Sequence, residues 1–402
     1  MSPDSSRPRL RVAYLTVSDP KDRRSWSGTV YRMARALEKH CGDVVNIGPL
    51  LPQSLKVGKV MNRGIRYLTG RTYLHTHTTA LSKKIGRMAS EKLAEANCDV
   101  IFAVAASTAV AYLSTDLPIV YLSDATIRLM LDYYPEFSAM LPRSLRQADE
   151  IERLAIQKSS HLVYPSSWAG QSARRDYGAD PSRIHVVPFG ANIDEPPARE
   201  KILKPVNRDV CRLLFVGVEW GRKGGDIALE TLHELHRLGL PAELTVVGCR
   251  PPHGASHKGL NVIPFINKND PDGRAQLDRL FMTSDFFLLP TRAECFSIAL
   301  CEAGAYGLPV LSTQTGGLPE LIREGVNGFS FPLEARGDRY AARIFDAYKN
   351  ADAYQALRIS SREEYEDRLN WDAWGKRIYE ILWAASLENK TARAAQLVES
   401  QF

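Results

Sequence analysis

RLLFVGVEWGRKGGDIALETLHELHRL, residues 212–238, reads as a strand, a glycine-rich loop and a helix in succession. The opening run is short, apolar and nearly continuous, as expected of a strand buried on both faces in a parallel sheet. The loop after it carries two adjacent cations, Arg222 and Lys223, among glycines. It matches neither the G-x-G-x-x-G fingerprint nor a Walker A loop, which takes support from nicotinamide and P-loop readings.

The same unit recurs along the chain. Upstream, strands are expected at 10–17, 43–48, 99–107, 118–123, 161–166 and 184–190; around and beyond the quoted stretch they fall at 212–217, 242–248, 261–265, 285–290, 309–313 and 328–331. Helical segments such as GTVYRMARALEKH and RSLRQADEIERLAIQKSS lie between them, the β/α alternation of a Rossmann-like layered sheet. Between the two series, DEPPAREKILKPVNRD (194–209) is rich in proline and charge and poor in apolar periodicity, which marks a linker. The expected organisation is α/β, with a first lobe over 1–195, a linker at 196–209 and a second lobe over 210–375. A helix at 376–402 either crosses back to the first lobe or packs on its own.

At 402 residues the chain is too long for one ordinary core. Its apolar (44%) and charged (24%) fractions are those of a folded globular protein. The polar start, MSPDSSRP, lacks the apolar core of a secretory signal, and no apolar run nears membrane-spanning length, so a soluble cytoplasmic protein is expected. Six scattered cysteines without a C-x-x-C pair argue against a zinc knot or a disulfide framework. The formal charge of +6 is mild but uneven: no Asp or Glu occurs from Val44 to Ser90, while eight Lys and Arg do. That local field calls for an anionic partner.

PTRAECFSIALCE (290–302) holds the chemistry. Open parallel sheets bind ligands beyond the carboxyl ends of their strands. Here a strand ends at Pro290, a loop follows, and a helix begins near Ser297. The main-chain N–H groups of Phe296, Ser297 and Ile298 then stand at a helix N-terminus that favours an anion such as a diphosphate. Glu302, one and a half turns into the helix, is too far along to cap it and is suited to accepting two hydrogen bonds from vicinal hydroxyls, as on a ribose. Glu294 is placed for hydroxyls of a sugar beyond the phosphates. By spacing alone, solvated carboxylates on an ordinary helix account for both; the neighbouring GRKGG and TGGLPELI stretches change the balance.

Together, ECFSIALCE, which matches an E-x7-E motif, GRKGG, TGGLPELI and SSWAGQSARRDYGADPSRIHVVPFGANID resemble the family-four retaining glycosyltransferases of the GT-B fold. The match runs in order over most of residues 160–335 and is weaker before residue 150. The resemblance implies two Rossmann-like lobes facing a central cleft. It implies a nucleotide-sugar donor in the second lobe, with Glu302 on the ribose, Glu294 on the donor sugar and Lys223 on the diphosphate. Gly217 lies beside the donor, and main-chain groups around Ile266 and Asn267 hold the base. Catalysis would retain the anomeric configuration without metal or other cofactor. The family's arginine after the strand glycine is replaced here by Val218, and Arg222 is expected to supply that charge.

In the first lobe, Asp124 stands where many members have a histidine near the reacting sugar. It either contacts donor or acceptor or caps a helix. Ser27 and Gly28 follow the first strand, where the family has an acceptor loop; a helix N-terminus explains the glycine equally. Residues 51–88 interleave cations with Val57, Val60, Met61, Ile65, Tyr67, Leu68 and Tyr73, which suits an anionic membrane surface; a solvated face, or a patch for an anionic glycan or a subunit, fits as well. His75 and His77 lack a third metal ligand nearby, and Asp270–Asp272 imitates a metal-binding Asp-x-Asp in a Gly/Pro turn.

The expected activity is transfer of a sugar to a hydroxyl of a glycan or lipid-linked acceptor, in bacterial-type polysaccharide or glycoconjugate assembly, with no role for nucleic acid. The rivals are a GT-B nucleotide-sugar epimerase or hydrolase, which needs no acceptor, and a catalytically idle glycan- or nucleotide-binding protein.

Overall fold

The computed structural model describes residues 8–23, 25–50, 55–204, 209–268 and 270–399. The polar start before Pro8, residues 51–54 of the basic stretch, residues 205–208 of the expected linker and the last three residues lie outside that description.

The chain divides into two compact units, one holding the residues up to Val187 together with those from Trp374 onward, the other Pro188–Ala373. The first contains six parallel strands, β1 (Leu10–Thr16), β2 (Gly42–Asn46), β3 (Val100–Val104), β4 (Ile119–Leu122), β5 (His161–Tyr164) and β6 (Ile184–Val186), in the order β2-β1-β3-β4-β5-β6. The second contains β7 (Cys211–Val216), β8 (Ala242–Val247), β9 (Leu260–Ile263), β10 (Phe286–Leu289), β11 (Val310–Thr313) and β12 (Gly328–Phe331), in the order β12-β11-β10-β7-β8-β9. Each expected strand is present; most are shorter than expected, β2, β7 and β9 begin one residue earlier, and β12 coincides with its expected range. Helices covering both faces explain why Val100–Val104 and Phe286–Leu289 are buried at every position and carry no polar alternation.

In both sheets the strand order reverses beside the first strand of the unit, between β1 and β3 and between β7 and β10. Loops leaving neighbouring strands on opposite sides of such a reversal open a crevice at the carboxyl edge. The residues that follow β7 and β10 are the glycine-rich loop and the glutamate-bearing segment, so the topology itself brings them together.

Two boundaries differ from the sequence expectation. The first unit ends at Val187, not 195, and the segment expected as linker includes a short helix, Arg199–Ile202, within the second unit. The reason is Arg358, buried on the helix Ala351–Arg368, whose guanidinium donates to the carbonyls of Ile202 and Lys204, while Ile202 itself is buried. Proline and charge gave the segment a linker's composition; the buried Arg358, with Gln355 donating to the Leu203 carbonyl (2.6 Å) and Arg199 paired with Glu366 (2.9 Å), fastens it.

The last long helix runs Trp371–Glu399. From Trp374 on it packs with the first unit: Trp374 lies edge to face with Phe102 of β3 at 5.8 Å, and Gly375 leaves only enough room for His40, whose ring a Cβ there would meet at 2.5 Å. Trp374 is 1% exposed. Trp374→Ala should therefore cost about 3–5 kcal/mol, the range for deleting a buried large aromatic. Urea denaturation followed by circular dichroism measures it, and a loss below 1 kcal/mol would contradict this packing.

Candidate functional site

At the crevice of the second unit, β7 runs into Gly217 and the loop Val218–Gly224 before the helix Gly225–Arg237. Gly224 adopts a φ of +75°, and a Cβ there would lie 1.9 Å from the carbonyl oxygen of Pro290, at the end of β10. Only glycine allows that approach. The same contact is secured by the Arg222 carbonyl, which accepts from the main-chain N–H of Arg292 (2.7 Å) and the hydroxyl of Thr291 (3.0 Å). The loop of TGGLPE joins as well, Gly317 N–H donating to the Glu294 carbonyl at 3.3 Å.

Lys223 and Glu294 meet across this seam as a directly bonded ion pair, their side chains 13% and 10% exposed. Arg222 does not stand free beside them. Its guanidinium bonds Glu219 (2.9 Å) and the Ala293 carbonyl (3.0 Å) and lies 3.8 Å from Glu294. It thus ties the two loops together, and its hydrogen bond holds the Glu219 carboxyl below the usual range. Val218, at the position where a cation was looked for, is 73% exposed.

The helix Ile298–Ala305 begins with Ser297 as its N-cap, and no side-chain hydrogen bond caps it. Among the described residues no hydrogen bond takes up the main-chain N–H groups of Phe296, Ser297 or Ile298. Ser297 is 3% exposed, so this is a buried, amide-rich helix start whose donors are left for an external acceptor. Four residues on, Glu302 is 1% exposed and is reached by the Lys268 ammonium at 3.1 and 3.3 Å. A solvated Glu302 is ruled out by that burial. Burying a carboxylate with one half-exposed lysine as partner is costly, and such arrangements concentrate at functional sites.

Ile266 and Asn267 lie in the loop between β9 and the helix Pro271–Thr283. Arg274 donates to the Lys268 carbonyl at 3.1 Å and fixes this loop from below. Phe265, one residue earlier, was expected to close the strand 261–265 and to lend main-chain groups to the base; it lies beyond β9 and its ring is 75% exposed. Asp270 is the N-cap of Pro271–Thr283, accepting from Asp272 N–H.

In the first unit, the loop after β1 carries Trp26 (φ 48°), Ser27 (φ 57°) and Gly28 (φ 92°) in succession, and Ala105 after β3 has φ 45°. Gly28 is the N-cap of the helix Thr29–His40. Three non-glycine residues in the left-handed region at one strand-order reversal signal a constrained site, which no sequence pattern betrays. Asp124 follows β4 and is half-buried; it is not a helix cap, because Thr126 occupies that position. Close by, Glu152 is buried and receives the Tyr121 hydroxyl at 3.3 Å. Burial first, and then the charges of Asp149 and Asp124, push its carboxyl up to about 7, against hydrogen bonds from Ser107 and Tyr121. His77 is lowered to about 4 by burial and by His75. Among the described residues no group of three His, Cys, Asp or Glu is arranged to hold a metal ion.

Comparison with known proteins places these features in context. Residues 28–195 match the model of Glycosyltransferase Family 4, and residues 211–350 that of Glycosyl transferases group 1. A D-inositol 3-phosphate glycosyltransferase of Segniliparus rotundus is 32% identical over 234 residues, 54% of this chain and 51% of that protein. Its counterpart in Xylanimonas cellulosilytica is 26% identical over 265 residues, covering 60% and 61%. The chain thus spans about two-fifths to three-fifths of the length of the curated relatives it matches. Among solved structures, a glycosyltransferase from Rickettsia africae superposes with a TM-score of 0.64 at 16% identity, covering 94% of this chain and 98% of that one. HepE of Anabaena, in complex with UDP and glucose, gives 0.60 at 18%, covering 93% and 99%. WaaG, a glycosyltransferase of lipopolysaccharide biosynthesis, gives 0.58 at 17%, covering 92% and 99%.

Glu152 yields a pH prediction. Its folded value of about 7 lies above the 4.5 of a free glutamate, so its contribution to stability is fully present below about 4.5 and is lost as pH rises toward about 7. Thermal midpoints should show Glu152→Gln gaining on the wild type across that window and holding level above it. A difference that does not vary with pH would count against a protonated Glu152.

Proposed function

The chain belongs to the family-four, group 1 glycosyltransferases with the GT-B fold, and from that premise we propose that it transfers a sugar from a nucleoside diphosphate to an acceptor hydroxyl with retention of anomeric configuration. The observation that carries this reading is the pair of shielded carboxylates, Glu294 and Glu302, on either side of an uncapped helix start, each held by a lysine.

In this reading the diphosphate rests on the N–H groups of Phe296, Ser297 and Ile298, its charge met by the helix dipole and by Lys223. Glu302 accepts the two ribose hydroxyls, loosening its bond to Lys268. Main-chain groups near Ile266 and Asn267 hold the base, Gly217 keeps the strand end free of side chain, and Glu294 accepts hydroxyls of the donor sugar. Arg222 is a positioning residue, since its donors are engaged with Glu219 and Ala293. The bond from the anomeric carbon to the β-phosphate oxygen breaks, and the new glycosidic bond forms on the same face. The released phosphate oxygen takes the acceptor's proton, and transfer proceeds without a metal, the amides and Lys223 stabilising the leaving group. Ser27, Gly28 and Asp124 belong to the acceptor side. UDP-sugars are the first donors to test because HepE holds UDP and glucose. Phosphorylated polyols, beside lipid-linked glycans, are the first acceptors, from the names of the relatives.

Glu302→Ala should weaken UDP binding about 10–100-fold, the worth of a hydrogen bond to a charged group. Glu294→Gln should keep UDP affinity and lower kcat about 100-fold or more, as for loss of a group acting mainly on the transition state. Calorimetry, turnover assays in EDTA and NMR of the product anomer provide the readout. Wild-type behaviour of both variants, or activity abolished by EDTA, would falsify this assignment. Donor turnover unaffected by any acceptor would instead indicate a hydrolase or epimerase.

The basic helix Leu55–Thr69 supports a membrane-facing role on the cytoplasmic side. None of its residues is buried. Leu55, Gly58, Asn62 and Ile65 form its half-buried inner stripe, Asn62 accepting from Tyr73 N–H at 2.8 Å. On the outer face Val57, Val60, Tyr67 and Leu68 are 62–89% exposed, flanked by Lys56, Lys59, Arg63 and Arg66. Such a helix lies in an anionic lipid interface, with roughly 1 kcal/mol per cation near the surface. Flotation with phosphatidylglycerol vesicles should retain the protein and pure phosphatidylcholine should not. The Lys56→Gln, Lys59→Gln, Arg63→Gln triple variant should lose binding. Equal retention on both lipids would end the proposal.

A further inference from the structure

We propose that the pocket at the carboxyl end of the basic helix is a saccharide subsite, holding a hydroxylated ring of the acceptor remote from the sugar being transferred. The proposal deepens the acceptor side of the transfer reading and rests on it for its biological meaning. The pocket measures about 330 Å³ and opens between the end of the basic helix, Thr72 and the loop 132–139. That size suits a single ring or two.

Its position follows from topology. The excursion after β2 and the excursion after β4 both leave the carboxyl edge of the first sheet, with β1 and β3 between their strands. They meet in a bridge between Thr72 and Met140, secured by hydrogen bonds from Thr72 N–H to Ala139 (2.9 Å), from the Thr72 hydroxyl to Ser138 (3.0 Å) and from Leu141 N–H to Thr72 (2.9 Å). Leu74, Ile127 and Ala148 form a small apolar cluster of their own, with Phe137 and Met140 against it. The walls are therefore built on a shared footing, and two of the lining residues, Asp132 (φ 55°) and Ala139 (φ 50°), are held in the left-handed region. Non-glycine residues held in this region occur in turns and also at ligand clamps, and alanine, unlike aspartate, has no local side-chain bond to favour it.

The lining chemistry selects the ligand. Arg66 and Asp132 share the pocket, both exposed to solvent, and among the described residues neither forms an ion pair or side-chain hydrogen bond. Opposite charges lining one pocket without pairing leave a fork of donors and a pair of acceptor oxygens for a third party. Vicinal hydroxyls satisfy both, since a carboxylate accepts two O–H groups and a guanidinium donates to oxygens in a plane. Tyr133 and Tyr134 stand edge to face at 5.3 Å, and Tyr133 is backed by Trp168 at 5.5 Å. This rigid aromatic corner gives the C–H face of a ring something to pack on. A bare phosphate would meet Asp132 as a repulsion, and a lipid tail would leave both charges unsatisfied.

Saturation-transfer NMR on the whole protein, with methyl glucoside, methyl mannoside and glucose 6-phosphate as probes, tests the assignment. Ring-proton signals are expected from at least one probe, with affinity reduced about tenfold by Arg66→Gln and by Asp132→Asn, each loss being that of a charged hydrogen bond. Asparagine tolerates the left-handed backbone, so Asp132→Asn preserves the loop. Lys84→Gln, which removes a cation outside the pocket, should leave the signals unchanged. UDP binding, followed in parallel, reports on the second unit and separates failure here from failure of the donor reading. Absence of transfer to every probe, or signals unaltered in both pocket variants, overturns the proposal.

Discussion

The reversal of strand order between β7 and β10 is the constraint on which the rest depends. Because every strand runs the same way, each following loop emerges at one edge of the sheet. The reversal sends the connections beside β7 and β10 apart, leaving a gap that no helix fills. Into that gap the sequence delivers glycines from one side and acidic residues from the other. Gly224, pressed against Pro290, sets how near the two loops come, and the bonds from the Arg292 main-chain N–H and the Thr291 hydroxyl to the Arg222 carbonyl hold that spacing. Cations and carboxylates then meet by construction, not by the reach of flexible side chains.

The resulting electrostatics are balanced and exchangeable. A buried carboxylate without a partner is untenable, so Glu294 and Glu302 each carry a lysine. In the proposed reading a diphosphate would bring negative charge to the helix start and attract the same lysines, while its ribose and sugar would bring hydroxyls to the carboxylates. Binding would then replace one set of charged hydrogen bonds with another and strand no ion. A site arranged this way stays folded when empty and retains full hydrogen-bonding capacity when occupied.

What the sequence made legible follows from how locally each feature is encoded. The central strands of both sheets are runs of largely buried apolar residues, and E-x7-E is a fixed spacing on one loop and helix, so both could be read directly. The pairing of Lys268 with Glu302 could not, since it joins residues from separate loops whose meeting depends on the sheet order. Arg222 was expected to face the ligand because its neighbour does; only the tertiary contact with the Ala293 carbonyl reveals it as a brace. The linker reading failed for a similar reason. Composition at 196–209 is that of an exposed connector, and the residue that immobilises part of it, Arg358, lies far along the chain.

Backbone conformation is the property least visible in composition, and it separates the two units. In the second, the special geometry sits on glycines, where it costs little and where motif reading finds it. In the first, Trp26, Ser27 and Ala105 take left-handed angles beside the strand-order reversal, and Asp132 and Ala139 do so at the pocket. All but the aspartate are residue types that resist such angles, so surrounding contacts must hold them, and strain persists only where the surroundings over-determine it. A diphosphate is common to all nucleoside-diphosphate sugars, and a glycine-and-amide cradle would serve any of them. An acceptor is particular to its enzyme, and strained side-chain-bearing loops are a way of fixing one shape of recognition surface without leaving a transferable motif.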